Sequence, residues 1–220
     1  YGYADVPIVR GSALRALEAA QAGRFEDPAI ADIDALVDAL DTRVPEPSRD
    51  ETGPFLMPIE GVHGVKGLGT VVTGRVVRGQ LAVGDSVTLV GGETVVVKGI
   101  EAFHEPLAVA RPGLNVGLLL RGVRKDDVTR GDVVAAPGSV LPRDRGEADL
   151  VLLRPEEGGR RTPLRAGYMP QLWFGVTDVT ATLHIAAPLA PGERGPVRFE
   201  LQRPVALEPG MRFAIREGGR

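Results

Sequence analysis

Gly67-Leu68-Gly69-Thr70-Val71-Val72-Thr73-Gly74-Arg75-Val76-Val77-Arg78-Gly79 is bounded by glycine, β-branched through its middle and carries two arginines near its end. β-Branched side chains are stiff at χ1 and fit a pleated, half-buried surface. The run therefore predicts a strand of a barrel over 69–78. Further strands are expected downstream and just upstream, at 55–60, 85–90, 93–103, 115–120, 132–135, 147–153, 171–176, 179–187, 196–203 and 211–216. Turn signals separate them, among them Val83-Gly84-Asp85, Gly91-Gly92, Arg111-Pro112-Gly113, Arg130-Gly131-Asp132, Pro191-Gly192 and Glu208-Pro209-Gly210. A Gly-acid turn before a Val-rich strand recurs at 83–85 and 191–193, and Pro137-Gly138-Ser139 to Arg145 marks a boundary, so two similar modules are expected.

The N-terminal part follows a different pattern. Val6–Arg10 reads as the end of a short strand, and Gly11 breaks it. Ser12 stands at a helix N-cap position before Ala13–Ala20. A second helix fits Asp27 to Leu40, with Ile30, Ile33, Leu36, Val37 and Leu40 at three- and four-residue steps. Pro45 to Pro54 is polar, proline-rich and aperiodic, as an interdomain linker is.

Composition narrows the function classes. The chain has 220 residues, 29 Gly and 18 Pro, which favours short strands and tight turns over long helices. Its first residue is Tyr1, and it reads as a piece of something longer. The formal net charge of −3 excludes a globally basic nucleic-acid binder, so an RNA partner requires a local patch. With no cysteine there is neither a disulfide nor a thiolate metal site, and the three histidines, His63, His104 and His184, lack ligand spacing. No apolar run reaches the roughly 18 residues that span a bilayer. A soluble, cytoplasmic protein is expected, without a membrane partner or a bound metal in this chain.

From Gly67–Gly79 outward the chain resembles the elongation factor Tu family of translational GTPases. The resemblance rests on Pro7-Ile8-Val9-Arg10-Gly11-Ser12-Ala13-Leu14, Pro54–Glu60, Gly69–Arg75 and Asn115–Gly122. In the second module it rests on Gly158-Gly159-Arg160, Thr162-Pro163, Gly167-Tyr168, Thr177–Thr180 and Arg212–Arg220. Each segment is weak alone; their joint order is specific. The implied fold is mainly β. Two consecutive antiparallel β-barrels of translation-factor type (55–138 and 145–220, the second truncated) follow the α/β C-terminal end of a P-loop GTPase domain (1–47), with a linker at 48–54. The catalytic and phosphate-binding motifs of the family are expected upstream, and no G-x-x-x-x-G-K-[ST] occurs in this sequence. The resemblance implies GTP hydrolysis by the intact protein, GTP/GDP and Mg2+ as cofactors bound mainly upstream, and a monomer. Its partners would be aminoacyl-tRNA, the ribosome and a guanine-nucleotide exchange factor.

The resemblance also assigns sites. Ser12, Ala13 and Leu14 match the family's last guanine-binding element, where the first, unpaired amides of a helix face the base; by themselves they read as a plain serine cap. Glu60, His63, Gly67, Thr73, Glu101 and Asn115 fall on the face of the first barrel that holds the aminoacylated 3′ end of tRNA. A carboxylate there can accept from a ribose 2′-OH, and Asn and Thr can donate or accept around the ester. For Thr73 an ordinary strand residue fits the sequence equally well, and for His63 a half-buried structural histidine does. Arg160, Arg161, Thr162, Gln171 and Thr177 fall in segments that face the tRNA T stem, where phosphate contacts position an RNA without reading its sequence. The chain departs from the family pattern at Gly61 (usually acidic), His63 (aromatic), Leu68 (Arg or Lys), Arg161 (His) and Met169 (Arg). These departures leave open a divergent paralogue, antibiotic-resistant or specialised in its aminoacyl-tRNA. GTPases of sulfate activation and selenocysteine delivery share the first barrel but resemble residues 158–180 less. Arg121, Arg124 and Lys125 sit beside Asp126 and Asp127 and carry no assigned role.

Overall fold

The computed structural model describes residues 6–65 and 67–216. The chain divides into two compact units, Tyr1–Ser48 and Arg49–Arg220. The first holds two helices, α1 (Ala13–Gln21) and α2 (Pro28–Arg43). Both start as their sequences dictate: Ser12 Oγ accepts from the Arg15 N–H at 3.4 Å, and Asp27 Oδ1 accepts from the Ala29 N–H at 3.0 Å with Pro28 at the first helical position. Gly11 lets the chain lie on α2, since a Cβ there would meet the Cβ of Asp32 at 2.9 Å. Two expectations fail. Val6–Arg10 forms no strand, because no described segment offers it a hydrogen-bonding edge. The apolar steps of α2 are not buried: Leu36, Val37 and Leu40 remain exposed, with nothing described packing over them.

The second unit is mainly β. In its first half run β1 (Leu56–Pro58), β2 (Gly61–Val65), β3 (Gly69–Arg75), β4 (Leu81–Ala82), β5 (Ser86–Leu89) and β6 (Thr94–Ala102). They are followed by β7 (Glu105–Leu107), β8 (Val109–Ala110), β9 (Asn115–Leu120) and β10 (Val133–Ala135). The main sheet runs β1-β10-β5-β6-β9-β3-β2, all antiparallel. It closes on itself where the continuation of β3 returns to β1: Val77 N–H donates to Leu56 O at 2.9 Å and Leu56 N–H to Arg78 O at 3.1 Å. The closure runs through β3, leaving β2 and β7 paired on one side only, and it forces a close crossing at Gly74, whose missing Cβ would stand on the Pro58 carbonyl oxygen. Met57, Ile59, Val72, Val87, Val97, Leu118, Leu120 and Val134 fill the interior at 0% exposure, the inward half of each strand's alternation.

The second half holds β11 (Pro142–Val151), β12 (Gln171–Phe174), β13 (Thr177–His184), β14 (Arg194–Ala206) and β15 (Ala214–Arg216), in the order β11-β14-β13-β12-β15. Its core includes Leu164, Leu172, Leu183 and a triangle of Phe174, Phe199 and Phe213 with centroids 5.3–6.1 Å apart. Phe174 is thus the core member of the Trp173-Phe174 pair. Gly146 faces the ring of Phe199, where a Cβ would lie 2.4 Å from Cζ. No described helix is long and apolar enough to cross a membrane.

Candidate functional site

Strand register assembles the site on the outer face of the first barrel. Across β2, β3, β9 and β6, residues Gly61, Thr73, Gly117 and Glu101 stand in one row. His63, Val71, Leu119 and Gly99 form the next row. Arg75 and Asn115 pair on the other side of the first row. Their chain neighbours Val72, Gly74, Val116, Leu118 and Ile100 point into the core, so alternation sends this set outward. Three of the outward positions are glycine, which lowers the surface to the backbone and leaves a shallow trough. Half-buried Val71 and Leu119 give it an apolar floor. The trough is tight: a Cβ on Gly117 would come within 3.3 Å of Val71 Cγ1. A Cβ on Gly61 would come within 2.7 Å of Thr73 Oγ1 and 3.1 Å of His63 Nε2.

Of the residues expected here, the structure brings Thr73 and His63 together over Gly61 and places Glu101 in Thr73's row, two strands away. Asn115 opens β9 on the same face, exposed, and Glu60 sits between β1 and β2 with its N–H donating to Thr73 O at 2.7 Å. Gly67 does not join them. It lies in the β2–β3 turn with φ 81°, well before Thr73 in the chain and beside exposed Leu68. Val71, Leu119, Gly99 and Gly117 were not expected. The signal was present for Val71, two positions from Thr73 on one face, and for Leu119, four from Asn115.

At the rim Glu101 Oε1 is 3.6 Å from His104 Nδ1, an exposed pair in the tight β6–β7 connection. Exposed ion pairs of this kind contribute little. Among the described residues no cluster of acidic or histidine side chains could hold a metal ion.

On the second barrel a loop built by Gly158 and Gly159 presents Arg160, Arg161 and Thr162. Gly158 takes φ 84°, and Gly159 passes so close to Leu153 that a Cβ would stand on its carbonyl. Arg160 lies over the Tyr168 ring at 4.4 Å and reaches Thr162 Oγ1 at 3.5 Å. Arg161 is exposed. Gln171 is exposed on β12, opposite Arg216, whose guanidinium covers the Trp173 ring at 4.9 Å. Among the described residues the buried Trp173 indole N–H has no hydrogen-bond acceptor.

Thr177 corrects the sequence expectation. It is 7% exposed, its hydroxyl accepts from Arg203 Nη2 at 2.8 Å, and Gly131 of the first barrel packs against it. It belongs to the seam between the barrels, not to the basic loop. In the other unit, Ser12 is the α1 cap already described, and Leu14 is exposed beside it.

Comparison with known families gives two matches. Residues 69–135 match elongation factor Tu domain 2, and residues 139–220 match the elongation factor Tu C-terminal domain.

Proposed function

Because the chain belongs to the elongation factor Tu family of translation factors, we propose that it is the RNA-holding part of a GTP-controlled carrier of aminoacyl-tRNA. The observation that supports this most is the register of β2, β3, β9 and β6, which gathers Thr73, Glu101, Val71 and Leu119 on one glycine-lowered face. A terminal base stacks on Val71 and Leu119, reaching the backbone level that Gly99 and Gly117 leave open. The Glu101 carboxylate accepts the ribose 2′-OH, the group that separates RNA from DNA. The acyl ester crosses Thr73 toward Gly61, with Asn115 and Glu60 at its margins. Arg160 and Arg161 meet phosphates, which suits a carrier that must accept RNAs of many sequences.

The nucleotide half of the cycle is assigned to the family's GTP-binding domain, with GTP or GDP and Mg2+ held there. Ser12, Ala13 and Leu14 would offer the first amides of α1 to the guanine. A γ-phosphate that orders loops against the barrels would make RNA binding depend on GTP, with release on the ribosome after hydrolysis and an exchange factor resetting the cycle. A gel shift of the protein joined to its GTP-binding domain, with GTP, tests the proposal. Charged tRNA is expected to shift at concentrations at least tenfold below those needed for uncharged tRNA; equal shifts would sink the idea. Gly61, His63, Leu68, Arg161 and Met169 favour a second form of the same function, a specialised paralogue. Failure to sustain peptide synthesis when the ordinary factor is depleted would select that form.

A further inference from the structure

We propose that Phe103, at the tip of the β6–β7 hairpin, is a stacking platform for the unpaired base that precedes the terminal nucleotide of the RNA. The inference rests on the trough being the site of the RNA 3′ end and extends that site by one nucleotide.

Two observations meet at the tip. The first is the ring. Phe55, Phe174, Phe199 and Phe213 all lie in or against the barrel cores, whereas Phe103 is 85% exposed. A lone exposed apolar side chain is ordinary; the backbone beneath this one is not. Phe103 and His104 both hold positive φ, 53° and 66°, in a two-residue turn that Asn-Gly would form without strain. A bulky residue on left-handed backbone costs free energy, and such strain gathers where a chain binds ligands. At that exposure, packing within the folded chain does not offset the cost; a ligand on the ring can.

Position assigns the ligand. The terminal ribose, held at Glu101, has three ways out. Its base takes the row of Val71, Leu119 and Gly99, two residues before Glu101 along β6. Its acyl ester leaves across the strands toward Thr73. The 5′ phosphate link remains, and the tip lies in the remaining direction, two residues after Glu101 and about 7 Å along the chain. The turn stays close to the carboxylate, with His104 Nδ1 3.6 Å from Glu101 Oε1. Glu101 and Glu105 flank the tip and offer a phosphate no attraction, so the contact has to come from the base. Every base has a π-face, and an aromatic ring without a polar atom holds it without reading its edge. That indifference suits a carrier of many RNAs.

The test uses the 220-residue chain, isotope-labelled for amide NMR. It is titrated with adenosine, with the dinucleotides cytidylyl-adenosine and guanylyl-adenosine, and with an abasic ribose joined to adenosine through the same phosphate. Adenosine is expected to move the amides of Val71, Glu101, Gly117 and Leu119. Both dinucleotides should also move those of Phe103 and His104, and bind about fivefold or more tightly than the abasic compound. Phe103→Asn suits the left-handed backbone, so the fold is kept. It should bring the dinucleotides down to the abasic affinity and leave adenosine unchanged, while Phe103→Trp should keep the gain. If adenosine moves the trough amides but the dinucleotides bind no more tightly than the abasic compound, the platform is wrong and the site stands. If Phe103→Asn leaves the gain intact, the platform is also wrong. If adenosine moves none of these amides, the site itself is wrong and the platform falls with it.

Discussion

Under the proposed function, the side chain absent at Gly117 serves binding at the expense of the strand. Glycine weakens a strand interior because it has nothing to pack and more freedom to lose. Here it sits in β9 between Thr73 and Glu101, with Val71 Cγ1 3.3 Å from where its Cβ would be. The neighbouring positions Val116 and Leu118 carry the core, so the outward face is free to be hollow. Gly117→Val is therefore expected to separate stability from binding. A β-branched residue suits the strand, and its methyls raise the trough floor against Val71. The melting temperature should stay within a few degrees of the parent or rise, while affinity for adenosine-terminated RNA falls by a factor of ten or more. A variant that melts far lower would show that the site at Gly117 is needed for folding instead.

Among the elements, the β6–β7 hairpin departs most from what its sequence suggests. Its connection is two residues long, with Ala102 paired to Glu105, and Phe103 and His104 both take positive φ, 53° and 66°. That geometry matches the twist of a hairpin but is normally built from Asn-Gly. Phe103 is 85% exposed, so no packing offsets the left-handed backbone. Replacing Phe103-His104 by Asn-Gly is expected to stabilise the protein by about 1–2 kcal/mol, read as a higher denaturant midpoint with an unchanged slope. No gain would mean that the two residues carry no strain. The same pair explains why this hairpin was not legible: nothing in Phe-His signals a turn, so the strand expected at 93–103 runs through Phe103 and none is expected at β7. β2 was hidden for a related reason, since Gly61, His63 and Gly64 show no apolar alternation. β11 starts earlier than expected because its first residues, Pro142 to Arg145, are all exposed and show no apolar alternation, with Arg145 paired to Glu200 across the strands at 2.9 Å. The Val-rich strands β3, β6 and β9 were plain in the sequence, as inward and outward residues alternate. The trough was not, because it depends on which strands pair and in what register.

At the scale of the whole barrel pair, the proposed binding of an extended RNA requires that the trough and the Arg160 loop keep a fixed separation. Two contacts on one rigid body act together, the second becoming an intramolecular event once the first has formed. The structure ties the barrels at two places. Arg78, leaving β3, forms a two-pronged bond to Glu208 in the turn before β15, Nη1 to Oε2 at 2.8 Å and Nη2 to Oε1 at 2.7 Å. Its Nε–H donates to Pro54 O at 3.0 Å. The bond to Glu208 raises the guanidinium pKa above its already high ordinary value, so the charge is permanent under all working conditions. The second tie is Gly131 against Thr177, with Arg203 closing over the threonine hydroxyl. Residues 49–54, which read as linker, are themselves pinned: Gly79 N–H donates to Asp50 O at 2.7 Å, and the Asp50 carboxylate holds Thr52 and Gly53. Arg78→Ala removes the fork and the bond to Pro54 together and leaves Glu208 partly buried without a partner. A loss of about 1–3 kcal/mol is expected, enough to split one calorimetric transition into two as the barrels melt separately. Arg78→Lys keeps the charge but cannot fork and should fall between. On the proposed function the RNA should respond in kind, with affinity dropping more for a full-length tRNA, which would use both barrels, than for a 3′-terminal fragment, which would use only the trough. Equal losses for the two ligands would show that Arg78 acts on the trough itself, and an unchanged single transition would leave Gly131 and Thr177 holding the barrels alone.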